Sequence, residues 1–358
     1  MNFQSWQGVK DPRFGYGSML KGFVDSIPKV VQFDEKASSL VYMGVPYGLE
    51  RWFEGQYRSC FTMWETDQLP PKFVRWLGEY DQIIVPCEHN VELFSGHHPN
   101  VKYVPLGVDS KFWSPKSPTS GVFRFHAGGS LWQRKGLDIV VRVFDRLKLP
   151  NAELHIKAAP HAADTPSRVP KNVFLNRNWM TPEEQHHWFS QGHVYVSVSR
   201  GEGFGLMPLQ AISMGIPTIV SHSTGQIQFE HLATGVVSTR KSKAEHGFWD
   251  ETNEDELADI MVDHYRNWLT HKTVALANVK KVGEFSWRKA TAQLLATVPV
   301  GTLLDTDTVE TPDVAIPIQV NRNLQCDIGK NHFVFKKGET YLIDEGVYQV
   351  LYDAGVLV

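Results

Sequence analysis

Cysteine is scarce in this chain. Cys60, Cys87 and Cys326 are too few and too far apart in 358 residues for a disulfide framework or a thiolate metal centre, and they fit a reducing compartment. Long apolar runs are missing too. No stretch approaches the ~20 residues needed to cross a bilayer, and the amino terminus, MNFQSWQGVKDPRF, lacks the apolar core of a secretion signal, so a cytoplasmic protein is expected. Neither sign of charge is in large excess. A net charge of −3 provides no overall field for nucleic acid or acidic membranes, and the one compact basic run, Arg240, Lys241 and Lys243, is expected to be solvated surface. There is no histidine-rich metal constellation; the adjacent His186 and His187 would point about 100° apart on a helix. No GxSxG turn marks a hydrolase. What is present, 42% hydrophobic and 21% charged residues, is the composition of a globular chain with room for about two domains.

The stretch that carries chemistry runs from Val194 to Ser221, VYVSVSRGEGFGLMPLQAISMGIPTIVS. Val194, Tyr195, Val196 and Val198 predict a buried strand, Leu209, Ala211, Ile212 and Met214 one side of a helix, and Gly215 its stop before a second buried strand. The turn between, Gly201-Glu202-Gly203-Phe204-Gly205, reads as built for a ligand. Glycines admit close approach of a bound group. Free N–H groups at a helix start favour an anion by about 0.3–1 kcal/mol per charge, up to about 2 when partly buried. Phosphate is the expected guest. A carboxylate beside it would repel it, so Glu202 is assigned to hydroxyls, and anion plus polyol together point to a sugar nucleotide.

This stretch resembles the signature of retaining, family-4-type glycosyltransferases with the two-domain GT-B fold. In that pattern an acid precedes a GFGL turn and a proline, and a second glutamate follows eight residues after the first. Here the pattern is Glu202, Gly203, Phe204, Gly205, Leu206 and Pro208, but Gln210 stands in place of the second glutamate. The resemblance implies that Glu202 holds hydroxyls of the transferred sugar and that position 210 faces the ribose. An amide still bonds a diol but forgoes the roughly 1.5–3 kcal/mol of a charged acceptor. Arg134-Lys135-Gly136, after a strand at Val122–Ala127, is similar to the family's basic pair, which neutralises the leaving diphosphate. Family members usually carry another arginine five or six residues before the lysine, where this chain has Ser130 and Gly129. Either Arg134 replaces it or one cation fewer holds the diphosphate. The resemblance further implies that the loop containing Asn178 touches the base, that Ser223-Thr224-Gly225-Gln226 lies near the sugar, and that Phe285-Ser286-Trp287 begins a helix returning to the first domain. No cofactor and no metal are implied, only a nucleotide-diphosphate sugar as co-substrate, a UDP-sugar first.

An α/β chain of two Rossmann-like domains facing across a cleft is therefore expected. Residues 1–118 would form the acceptor side, 119–298 the nucleotide-sugar side, 299–313 a linker and 314–358 a small β-rich appendage. In the first domain strands are predicted at Val30–Phe33, Leu40–Met43, Cys60–Trp64, Ile83–Val85 and Val101–Val104. Gly15-Tyr16-Gly17-Ser18 opens a helix as a phosphate- or sugar-facing loop would, or is a plain turn. Glu65 and Asp67 end a strand on the side where ligands collect and are candidates for an acceptor hydroxyl; alternatively Thr66 or Asp67 caps the helix starting near Pro70 and Pro71. Residues 250–298 read as helical. The appendage combines alternation at Ala315–Val320 and Tyr341–Ile343 with a helix-like Val347–Leu351, and is similar to small modules at the ends of phage structural proteins. Two acceptors follow: a glycan, or hydroxymethylated pyrimidine in phage DNA if Lys10, Arg13, Lys21, Arg51 and Arg58 form a basic groove. The rival expectation is a protein of the same fold that binds a sugar nucleotide or carbohydrate without catalysis.

Overall fold

The computed structural model describes residues 2–11, 13–119, 121–160, 164–310, 316–328 and 331–343. The first lobe consists of β1 (Asn2–Gly8), α1 (Gly15–Asp25), β2 (Val31–Phe33), β3 (Ser39–Met43), β4 (Trp52–Phe53), β5 (Tyr57–Phe61), α2 (Pro71–Leu77), β6 (Gln82–Val85), α3 (Glu88–Ser95) and β7 (Val101–Tyr103). Six of its strands form a parallel sheet in the order β2-β1-β3-β5-β6-β7. β3 and β6 are buried along their whole length, as unbroken apolar runs between helical layers must be.

The second lobe runs through β8 (Phe123–Gly129), α4 (Leu137–Leu147), β9 (Ala152–Ala158), β10 (Val173–Asn176), α5 (Pro182–Ser190), β11 (Val194–Ser197), α6 (Leu206–Ser213), β12 (Thr218–Ser221) and β13 (Gly235–Val237). The sheet order is β10-β9-β8-β11-β12-β13, again parallel. The chain winds outward in opposite directions from β8 and β11. Their carboxyl ends therefore flank a crevice, the usual ligand position in such sheets. The two lobes and their GT-B arrangement follow the expected fold class.

After β13 come a hairpin, β14 (Thr239–Lys243) and β15 (Phe248–Thr252), then α7 (Glu254–Arg266), α8 (Trp268–Asn278) and α9 (Trp287–Thr297). The hairpin corrects one expectation, since residues 250–252 are strand rather than helix; the basic residues Arg240, Lys241 and Lys243 are exposed on it, as expected of a solvated surface. α9 returns to that lobe. Trp287 packs edge-on against Phe23 with ring centroids 5.3 Å apart, and a Cβ on Gly22 would fall 2.3 Å from its indole. One apolar cluster thus runs from Phe23 and Phe61 through Trp287 and Phe285 to Phe204 and Phe229.

The stretch read as a linker is instead strapped to the first lobe. Phe3 N–H donates to Gly301 O at 3.0 Å, Ser38 N–H to Thr302 O at 2.7 Å and Leu304 N–H to Lys36 O at 3.0 Å. β16 (Val309–Glu310) then pairs antiparallel with β4. Beyond it, β17 (Ile316–Gln319) pairs antiparallel with β20 (Thr340–Ile343), and β18 (Leu324–Ile328) with β19 (Asn331–Phe335), in the appendage expected to be β-rich. The helix expected at Val347–Leu351 lies outside the described residues.

A buried lysine fixes the far end of α6. Lys272 Nζ donates to Gly215 O at 2.8 Å and to Lys116 O at 3.1 Å, placing a cation at the negative end of the helix dipole. Burial lowers its pKa from 10.5 to about 8. Because the folded chain holds this proton less tightly than the unfolded one, the contribution of Lys272 to stability is full above the unfolded value and is lost as pH falls through about 8. The difference in melting temperature between wild type and Lys272→Met should accordingly shift in favour of wild type between pH about 8 and about 10.5; a constant difference would exclude titration of this group.

Candidate active site

A cavity of about 530 Å3 lies between the lobes, a size suited to a nucleotide-sized ligand. Its floor is the turn between β11 and α6. Gly205, at φ +105°, occupies the left-handed region that lets the chain swing from the turn into α6. On the other side, Gly136 at φ +65° would place a Cβ 2.0 Å from Val198 O. Only glycine lets the 130–136 turn settle on the end of β11. That contact brings Lys135 onto Glu202.

Lys135 Nζ donates to Glu202 Oε2, which also accepts from Ser199 Oγ at 3.2 Å, while Glu202 N–H donates to Thr224 Oγ1 at 2.8 Å. Burial by itself would push the Glu202 carboxyl up, but Lys135 and Arg134 outweigh it and hold the pKa below the usual carboxylate range. For Lys135 burial is the larger influence, only partly offset by Glu202, and its pKa is lowered. Together they are an ion pair enclosed by protein, with one face toward the cavity. Arg134 stands beside it, donating to Gly201 O at 2.8 Å and lying 3.5 Å from Glu65 Oε1 of the first lobe.

Glycines of the turn have a role that the sequence reading did not foresee. A Cβ on Gly201 would lie 2.0 Å from Glu65 O, and one on Gly203 would lie 2.6 Å from Met63 Sδ. These two admit the first lobe rather than a ligand. Gly205 and Leu206 line the cavity together with buried Phe204, which is braced edge-on by Phe229 at 5.2 Å. Ser223 caps, and Thr224-Gly225-Gln226 begins, a short 3-10 helix (Thr224–Phe229) that supports Glu202 from behind.

The other candidates divide. Gly15 lines the cavity, but it is the first residue of α1 rather than part of a loop, and Gly17 is buried inside that helix. Gln210 faces the cavity with its Oε1 accepting from Gln185 Nε2 at 2.8 Å. Asn178 is exposed outside the cavity lining; its neighbours Trp179 and Met180 line it, and the Arg13 guanidinium of the first lobe sits 5.3 Å from the Trp179 ring centroid. Asp67 is elsewhere. Its Oδ1 accepts from Phe248 N–H at 2.8 Å and its Oδ2 is 3.8 Å from Lys241 Nζ, so it fastens hairpin β14–β15 to the first lobe. Neither Asp67 nor Thr66 caps α2, whose N-cap is Pro70 without a side-chain bond. The basic-groove expectation is also corrected: Arg13 pairs with Asp11, Lys21 with Asp25, Arg51 with Glu35 and Arg58 with Asp81, leaving only Lys10 of the five without an acidic partner among the described residues.

Sequence reasoning missed Arg200. Its guanidinium, 8% exposed, grips Asp138 and Glu251 and also donates to Gln133 O. Away from the cleft, Asp263, His264 and His271 come together, but both His264 nitrogens already face Ile260 O and Thr234 Oγ1.

A family model described as "Family 4 Glycosyltransferase in conflict systems" matches residues 88–294. In structure the chain is similar to Anabaena HepE in complex with UDP and glucose, with TM-score 0.62, 11% identity, and 83% of this chain and 99% of that one covered. It is similar to the sucrose-phosphate synthase of Thermosynechococcus elongatus, with TM-score 0.61, 11% identity, and 82% and 97% covered. Against TarM the TM-score is 0.55 at 14% identity, with 77% of this chain covered but only 57% of TarM's length. At such identities these likenesses speak to fold alone. No curated protein matches the chain by sequence.

Proposed function

Because the chain belongs to the family 4 glycosyltransferases in conflict systems, we propose that it moves a sugar from a nucleotide-diphosphate donor, a UDP-sugar first, to an acceptor hydroxyl with retention of configuration. The observation that carries this reading is the enclosed Lys135–Glu202 pair on the floor of the interlobe cavity. An arriving diphosphate competes with Glu202 for the Lys135 ammonium. Once the lysine turns to phosphate, Glu202 is released to accept hydrogen bonds from sugar hydroxyls. Exchange of one acceptor for another keeps Lys135 charge-compensated while the glycosidic bond breaks. On a retaining route confined to one face of the sugar, the departing phosphate takes the acceptor proton, with the Arg134–Glu65 pair beside the Lys135 turn. The paired state of Arg13, Lys21, Arg51 and Arg58 favours a glycan acceptor over modified DNA.

Gln210 and the pairing of Lys135 with a carboxylate support a second reading, binding of a sugar nucleotide without transfer. Incubation with UDP-, GDP- and ADP-sugars in the absence of acceptor separates the two. Slow release of nucleoside diphosphate from one donor is the expected result. Binding without release favours the second reading, and neither binding nor release overturns both.

A further inference from the structure

Two cations expected at the diphosphate already face acids in this site, Lys135 on Glu202 and Arg134 near Glu65. A third lysine in the cavity does not. Lys157, near the carboxyl end of β9, lines the cavity, and among the described residues its ammonium has neither a carboxylate nor a hydrogen-bond acceptor. Its pKa is lowered by burial alone, with no acid to lift it. Of the other carboxylates lining the cavity besides Glu202, Glu184 is occupied, receiving Thr181 N–H in the capping box of α5.

The strands explain its placement. Gly128 pairs in register with Lys157, and Tyr195 with His126, so by the two-residue alternation Lys157, Gly128 and Tyr195 share one face of the sheet. Gly128 contributes no side chain there; a Cβ would fall 2.8 Å from Met207 Cε and 3.4 Å from Lys157 Cβ. On the opposite side of the strand end, a Cβ on Gly129 would fall 2.3 Å from Lys135 Cγ. The two successive glycines therefore clear room for two lysines, one on each side of β8. Tyr195 also lines the cavity, fully buried, and its hydroxyl, close to the Gly128 backbone, has no acceptor for its proton among the described residues. A cation and a hydroxyl with a proton left to donate thus flank the gap at Gly128, between the Lys135 turn and the Trp179–Gln185 wall.

Building on the donor reading above, we propose that Lys157 is the second diphosphate-binding cation of this site, with the Tyr195 hydroxyl donating to the same group. It takes the place of the arginine that the 129–130 turn lacks, reaching the phosphates from the neighbouring strand. Arg134 is left to tie the turn to the first lobe.

The test is calorimetric titration of wild type, Lys157→Met and Lys157→Arg with UDP, GDP and ADP, and with the nucleoside of whichever binds. Methionine keeps the bulk of the half-buried stem, and melting curves check folding. Lys157→Met should weaken the nucleoside diphosphate at least about tenfold and leave the nucleoside unchanged, while Lys157→Arg retains most of the affinity. Tyr195→Phe should weaken the diphosphate in the same selective way, by a smaller factor. Equal affinity of wild type and Lys157→Met for the diphosphate overturns the assignment. So does equal weakening of diphosphate and nucleoside, which would place Lys157 at the base or ribose. A wild-type chain that binds none of the three overturns the donor reading itself, and the inference with it.

Discussion

Glu202→Ala and Lys135→Ala should each lower the rate of sugar transfer at least about 100-fold, the usual cost of removing one preorganised electrostatic group from a reaction centre. The two losses differ in stability. Truncating Glu202 leaves Lys135 enclosed opposite nothing but Ser199 and Arg134, and breaking a buried pair on one side costs about 3–5 kcal/mol. The double variant removes both charges and should melt above at least one of the single variants while remaining inactive, a coupling readable from a double-mutant cycle. Turnover measured under saturating donor, with melting temperature followed in parallel, checks both halves. Near-normal rates in both single variants would show that the pair is scaffolding and that the chemistry lies elsewhere.

A second large effect on folding is expected at Arg200. The guanidinium donates to Asp138 at 2.7 and 2.8 Å and to Glu251 at 2.6 and 2.8 Å. Burial would lower its pKa, but the two carboxylates more than compensate and raise it. This one residue ties the 199–205 turn to the start of α4 and to β15, so Arg200→Ala should cost about 3 kcal/mol, near the low end for a buried pair because both carboxylates remain partly open to water. Lys cannot replace it, since two bidentate contacts require the planar fork of five donors. Urea denaturation checks the value; a loss below about 1 kcal/mol would mean that the network is not acting as a unit.

How legible these features were depends on the range of the interactions behind them. The βαβ unit at 194–221 was readable because its signals are local: an unbroken apolar strand, a glycine at the αL position and a helix stop. Lys135 and Glu202, 67 residues apart, could be put together only through a family pattern. Where partners are remote and no pattern applies, the reading failed. Asp67 looked like a cleft carboxylate or a cap because nothing nearby shows that its acceptor capacity is used by Phe248, 181 residues on. Arg200 sat in plain view inside the motif, yet its partners lie 62 and 51 residues away. Hairpin β14–β15 has few buried positions and so lacks the alternation that announces a strand. The strap at 301–304 is held through backbone groups, which every residue but proline possesses and which leave no trace in side-chain composition. Lys157 was hidden for a different reason: a lysine in a strand reads as a solvated edge until register places it beside a glycine gap.

That strap has a bearing on biosynthesis. The first lobe takes Gly301 against β1, Thr302 and Leu304 along the approach to β3, Glu310 onto Trp52, and α9 against α1. A ribosome delivers all of these after the second lobe has emerged. Of the two lobes, the one made earlier is consequently the one finished later, and until the strap and α9 have followed the second lobe it presents an uncovered helix face and a bare strand margin to whatever chaperone or neighbouring nascent chain stands nearest.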